Sequence, residues 1–194
     1  AWSQLMLKVL GIKYTISGKE NLKGPAIITM NHQSILDVFL LPAISPGIAT
    51  FLAKKEISKV PIISWVMKSC GCIFVDRKNT EKAIKSIQDG LKKLPESCSI
   101  LMFPEGTRSR NFKLLPIKKG VCHIAIQSRL PIITIGQYGM EKIGGGSNNL
   151  FFEPGTLYLH VNKPLDTSKW KKETLSQHLD EIKGSFESAI KRAK

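Results

Sequence analysis

Ala26-Ile-Ile-Thr-Met-Asn-His-Gln-Ser-Ile-Leu-Asp37 sets a five-residue strand-like run directly before a polar turn and the start of a new apolar run. A run that is apolar throughout, rather than at alternate positions, is what a strand covered on both faces looks like. β-rich runs recur at 13–17, 49–53, 72–75, 99–103, 132–135 and 156–161, several of them equally continuous. Helical patterns lie between them. Over 80–94, Ala83, Ile84, Ile87, Leu91 and Leu94 fall on one face with lysines on the other, and Thr80 suits the N-cap. Near 171–192, Leu175, Leu179, Ile182, Phe186 and Ile190 align at spacings of three and four, and 121–130 is a further helical run. Alternating strands and helices predict an α/β domain with a largely parallel or mixed central sheet flanked by helices.

With 194 residues, 42% of them hydrophobic, the chain can bury one substantial core, and no repeat or long Pro/Gly linker divides it. A single domain over 1–194 is expected. The 29 basic residues against 15 acidic ones leave a net charge of +14, which favours a polyanionic partner or surface. Nucleic acid is disfavoured: zinc-finger spacing and an RNA-binding aromatic signature are missing, and 7% aromatic residues offer few stacking platforms. The basic pairs Lys54-Lys55, Lys92-Lys93, Lys118-Lys119 and Lys171-Lys172 are dispersed, as suits a surface near anionic headgroups. Cys70, Cys72, Cys98 and Cys122 lack the spacing of a metal site and read as buried free thiols in a reducing cytosol. No stretch approaches the ~20 apolar residues of a membrane span. Residues 1–12 carry only a short apolar cluster of Leu5, Met6, Leu7, Val9 and Leu10.

The chemistry is concentrated in two segments. In the first, His32 follows the 26–30 strand with Asp37 five residues on. A neutral histidine can take a proton from an alcohol, and a carboxylate can fix its tautomer and stabilise the imidazolium. Ser34-Ile-Leu-Asp37 also matches a helix start, with Ser34 as N-cap and Asp37 in the first turn, which makes the acid structural. Ser34 as a covalent nucleophile is disfavoured, because no G-x-S-x-G elbow surrounds it. The second segment, Phe103-Pro-Glu-Gly-Thr-Arg108, puts an acid and a guanidinium on a turn behind an apolar run. Arg77 and Arg108 both follow strands, and parallel sheets bind ligands at the carboxyl ends of their strands. A guanidinium can grip phosphate bidentately. Lys118, at the start of an apolar helix, can add to an anion site there. His123, His160 and His178 read as structural. The apolar segment 61–67 reads as core, or as a lipid- or acyl-chain-facing segment. The glycine-rich 144–149 reads as a surface loop.

These two segments, with Gly71-Cys-Ile-Phe-Val-Asp-Arg77 and Leu130-Pro-Ile-Ile133, resemble in order the four sequence blocks of the glycerolipid acyltransferase family, over roughly 18–161. The resemblance implies transfer of a fatty acyl group from acyl-CoA or acyl carrier protein to lysophosphatidic acid, without metal or cofactor because the thioester is already activated. It also implies that His32 and Asp37 are catalytic, and that Arg77, Glu105, Gly106, Thr107 and Arg108 hold the glycerol phosphate. Glu105, an anion itself, is then expected to orient Arg108 or another base. Pro131 falls in the block associated with the acyl donor or acyl chain. Family members often carry a hydrophobic N-terminal anchor, so residues 1–12 read as the remainder of one, and the expected location is the cytoplasmic face of a membrane. Another acceptor, such as glycerol 3-phosphate or a different lysolipid, stays open, as does a non-catalytic anionic-lipid-binding module.

Overall fold

The computed structural model describes residues 2–59, 64–65, 72–76, 80–144 and 151–194. In chain order the elements are α1 (Trp2–Val9), β1 (Ile12–Ser17), β2 (Ile27–Met30), α2 (Asp37–Ile44), β3 (Ala49–Lys54), β4 (Ile73–Val75), α3 (Thr80–Leu91), β5 (Ser99–Met102), α4 (Gly120–Ser128), β6 (Ile132–Tyr138), α5 (Met140–Ile143), β7 (Gly155–Val161) and α6 (Leu175–Ala193). The strands form one seven-stranded sheet in the order β1-β7-β6-β2-β5-β3-β4. Every pairing is parallel except β6 with β7, where Ile135 lies opposite Val161. The sheet is therefore mixed, and the expected α/β class holds.

Two cores follow from the strand alternation. On one face Ile28, Met30, Leu101, Ile133 and Ile135 meet Leu7 of α1 and Leu36, Leu40, Leu41 and Ile44 around α2. On the other, Ile27, Ile100 and Ile132 meet Ile87 of α3, Val121 and Ile124 of α4, and Ile182 and Phe186 of α6. With both faces covered, the central strands are apolar on each side, which is why β2 and β5 are buried at every position. The apolar cluster of residues 1–12 forms a helix, α1, which seats Leu7 against α2 and leaves Trp2, Leu5 and Val9 exposed. Among the described residues no helix is long and apolar enough to cross a membrane. Of the cysteines, Cys98 and Cys122 are buried free thiols and Cys72 is half-buried; Cys70 lies outside the described residues.

The C-terminal edge of β2, β5, β3 and β4 carries the loops that hold His32 and Glu105, since these four strands run in one direction. β6 joins the same edge, and α6 lies directly on it. A Cβ on Gly136 would stand 2.3 Å from the backbone of both Ala189 and Ile190, so only glycine lets helix and strand come this close. Thr134 and Asn162 add hydrogen bonds to Ser185 on the same helix. Gly136→Ala should therefore push α6 off the sheet and lower stability by about 1–3 kcal/mol, as overpacking does. Urea denaturation checks this, and an unchanged midpoint would contradict so close a contact.

Candidate active site

Asp37 opens α2 with its side chain fully buried. A buried carboxylate is tolerated only when its oxygens are hydrogen-bonded. Here Oδ2 accepts the backbone N–H groups of Gln33 at 2.6 Å and Ser34 at 2.9 Å, and lies 2.8 Å from His32 Nδ1. Oδ1 accepts Gln137 Nε2 at 2.9 Å. The loop before α2 thus folds around the acid. Ser34 is not the N-cap: Leu36 occupies that position, and the Ser34 hydroxyl accepts the Leu36 N–H at 3.3 Å. The helix begins two residues later than the S-x-x-D spacing suggested, because the carboxylate caps the turn that the serine was expected to cap.

The bond to Asp37 assigns the proton of neutral His32 to Nδ1 and leaves the Nε2 lone pair as a proton acceptor. The imidazole stacks on Phe103, with ring centres 4.0 Å apart and planes 12° apart, and Phe103 in turn faces Phe51. The backbone of His32 is clamped as well: its N–H donates to Glu105 Oε1 at 2.5 Å, and its carbonyl accepts the Ser109 N–H at 2.7 Å. Glu105 Oε2 accepts the Leu115 N–H at 2.6 Å. Both oxygens of Glu105 therefore serve backbone N–H groups, and the acid braces His32 where an orienting role toward Arg108 was expected. Burial pushes the Glu105 carboxyl up to about 7, against the opposing pull of the two N–H donors and with a smaller push from the charge of Asp37.

Gly106 takes the turn at φ 75°, a conformation that favours glycine, and its N–H donates to the Phe103 carbonyl at 3.1 Å. Gly106 and Thr107 are exposed and Arg108 is half-buried. The Lys118 N–H donates to the Pro104 carbonyl at 2.9 Å, which brings the start of α4 to the same loop. Beneath lies a cavity of about 570 Å³, with Leu52, Val75, Ile87, Met102, Val121 and Ile124 inside and Gly106, Thr107, Lys118 and Lys119 on its lining. The sequence left 61–67 open between core and a segment facing lipid or the acyl chain; only Ser64, buried, and Trp65, exposed, belong to its described part. Arg77 lies outside the described residues, as do residues 145–150 of the glycine-rich loop. Pro131 is not brought to the site: its carbonyl accepts the Ile27 N–H at the start of β2, while His32 follows the far end of that strand.

Gln137, Asn31, Ser109 and Phe103 complete the site and were not singled out from sequence. For Gln137 a signal was present: an amide in the mostly apolar run of β6 must find partners when buried. Two of the other three histidines sit elsewhere: His178 stacks on Trp170 and bonds Thr174, and His160 bonds Ser17. His123 is half-buried on the lining of the cavity, where burial and the charges of Lys172 and Lys119 depress its basicity.

A half-buried histidine paired with a buried aspartate at the carboxyl edge of a mixed sheet, beside a glycine turn with a basic rim, belongs to a known family: residues 13–137 match the Acyltransferase family model, and the chain is a member of that family. Among relatives, a 1-acyl-sn-glycerol-3-phosphate acyltransferase of Saccharomyces cerevisiae is 32% identical over 191 residues, covering 96% of this chain and 63% of the relative. One from Cocos nucifera is 33% identical over 180 residues, covering 92% of this chain and 58% of the relative. The chain thus spans about three fifths of the length of these relatives. The crystal structure of the 1-acyl-sn-glycerophosphate (LPA) acyltransferase PlsC from Thermotoga maritima superposes with a TM-score of 0.76 at 26% identity, covering 95% of this chain and 76% of that one.

Glu105 gives the site a pH signature. The folded state holds its proton more tightly than the unfolded chain, so this contribution to stability is complete below its ordinary value of 4.5 and is lost as pH rises through about 7. The loss should amount to about 3 kcal/mol in wild type and be missing from Glu105→Gln, whose amide cannot ionise. Urea unfolding of both proteins across this range measures the difference. A difference that stays flat with pH would contradict the raised carboxyl.

Proposed function

We propose that this chain transfers a fatty acyl group from a thioester, acyl-CoA or acyl carrier protein, to the sn-2 hydroxyl of 1-acylglycerol 3-phosphate, giving phosphatidic acid. The observation that carries the reading is His32, held through Nδ1 by a buried carboxylate and left with Nε2 as a proton acceptor. Nε2 takes the proton of the acceptor hydroxyl as that oxygen attacks the thioester carbonyl carbon. Asp37 stabilises the imidazolium that forms. When the tetrahedral intermediate collapses, the C–S bond breaks, the ester bond remains, and the imidazolium returns its proton to the departing thiolate. Arg108 and Lys118, with Thr107 and the Gly106 turn, hold the acceptor phosphate, and Arg77 is assigned to the same anion site. The apolar cavity under this turn is of a size and lining to take an acyl chain.

The same reading puts the protein at the cytoplasmic face of a membrane. Exposed Trp2, Leu5 and Val9 on α1 and exposed Trp65 supply apolar contacts, and the +14 charge supplies attraction to anionic headgroups. Salt screens the second and not the first. Binding to anionic liposomes should weaken but persist at high salt, and Trp2→Ser with Trp65→Ser should remove the persistent part; complete release of wild type by salt would refute apolar insertion.

His32→Ala should lower turnover by about 10²–10⁴-fold in an acyl-transfer assay while sparing the fold. Near-wild-type turnover in the folded variant would sink the mechanism. Arg108→Lys keeps the charge and loses the fork, so the acceptor KM should rise with the donor KM little changed. The reverse pattern would assign Arg108 to the donor.

A further inference from the structure

We infer that Gln137 is a positioning residue for the His32–Asp37 pair, fixing the plane of the Asp37 carboxylate and sharing its charge. The inference deepens the reading of His32 as the base and rests on it. Gln137 is buried near the end of β6, and its Nε2 donates both to Asp37 Oδ1 at 2.9 Å and to the Asn31 carbonyl at 2.7 Å. With two acceptors facing that end of the amide, only the NH₂ group fits there, so the direction of the side chain is settled by its neighbours. The main chain closes the lock, since the Gln137 N–H donates to Asn31 Oδ1 at 2.8 Å. Asn31 immediately precedes His32. One residue of β6 therefore holds both the residue before the base and the acid that supports it.

The two oxygens of Asp37 are held differently. Oδ2 is shared by His32 and two backbone N–H groups of its own loop, whereas Oδ1 is held by a side chain a hundred positions away in sequence. The loop alone can place Oδ2. Gln137 sets the rotation of the carboxylate about Cβ–Cγ, and so the direction from which Nδ1 is met. It also draws negative charge toward Oδ1, which tempers the pull of Asp37 on the imidazolium. Deleting the donor should have two effects together. The base becomes less well aimed, and its protonated form becomes more stable.

Gln137→Met keeps the length of the side chain and removes the donors. In the acyl-transfer assay kcat should fall by about 10- to 100-fold, the scale on which loss of an outer hydrogen-bond partner weakens metal-site histidines. KM for both substrates should hold, and the acid limb of kcat/KM should move to higher pH by about half a unit or more. Loss of thermal stability with kcat and pH profile intact would make Gln137 merely structural and overturn the inference. If Gln137→Met does not fold, Gln137→Glu decides: its protonated carboxyl can donate to Asp37 and its ionised form repels it, so activity should collapse at alkaline pH where wild type keeps it. An alkaline limb superimposable on wild type would overturn the inference. The ring-nitrogen signals of His32 in ¹⁵N-histidine-labelled protein separate the two claims. If His32→Ala stays active, the base reading fails, while a displaced His32 Nδ1 signal in the Gln137 variant still upholds the positioning role; an unmoved Nδ1 signal refutes it.

Discussion

The carboxylate of Asp37 is the interaction on which the site depends. A charge at 0% exposure costs far more than the protein's net stability unless donors surround it, and it receives four. Two are backbone N–H groups of its own loop, so the turn after β2 can close only around this acid. The N-terminus of α2 adds a favourable field, because Asp37 is the first helical residue. The geometry proposed for catalysis is thus a by-product of solving a burial problem. The loop that hides the carboxylate is the loop that aims the histidine.

A second buried acid solves a different problem in the same place. The long connection between β5 and α4 has little regular structure, and its course past His32 is set by Glu105, Ser109 and the Lys118–Pro104 bond. Glu105 joins the backbone of His32 to that of Leu115, and the Gln33 side chain ties to the Phe112 carbonyl at 2.5 Å. Two carboxylates near one imidazole repel each other, which contributes to the raised proton affinity of Glu105. They keep separate duties: Asp37 serves the ring and Glu105 serves the chain.

The sheet was legible in the sequence because continuous apolar runs have few alternatives, and each strand was located to within a few residues. The antiparallel seam between β6 and β7 was not, since apolar runs carry no direction. The pairing of His32 with Asp37 could be read from five residues because it is local. The partners of Glu105 could not: an acid beside an arginine in sequence suggests an ion pair, yet the backbone of a loop some seventy positions earlier claimed the carboxylate. Ser34 was misread as a cap for the same reason, a local pattern outcompeted by a stronger acceptor three residues on. Gln137 was visible only as an oddity in an apolar strand.

Gly136 and Gln137 show how closely stability and chemistry are joined. Successive strand residues face opposite sides of the sheet, and β6 keeps that alternation to its end. Ile133 and Ile135 face α1 and α2, while Ile132 and Thr134 face α6. Gly136 therefore lies beneath α6, where a single methyl group would strike the backbone, and Gln137 turns to the other face, toward Asp37 at the start of α2. A shift of β6 along its axis by one residue would exchange these faces, placing an amide under the helix and nothing against the acid. The register of β6 beside β2, Ile132 opposite Ile27 and Ile135 opposite Met30, is held by apolar packing on both faces. That packing, far from any reacting atom, decides which side chain meets the carboxylate.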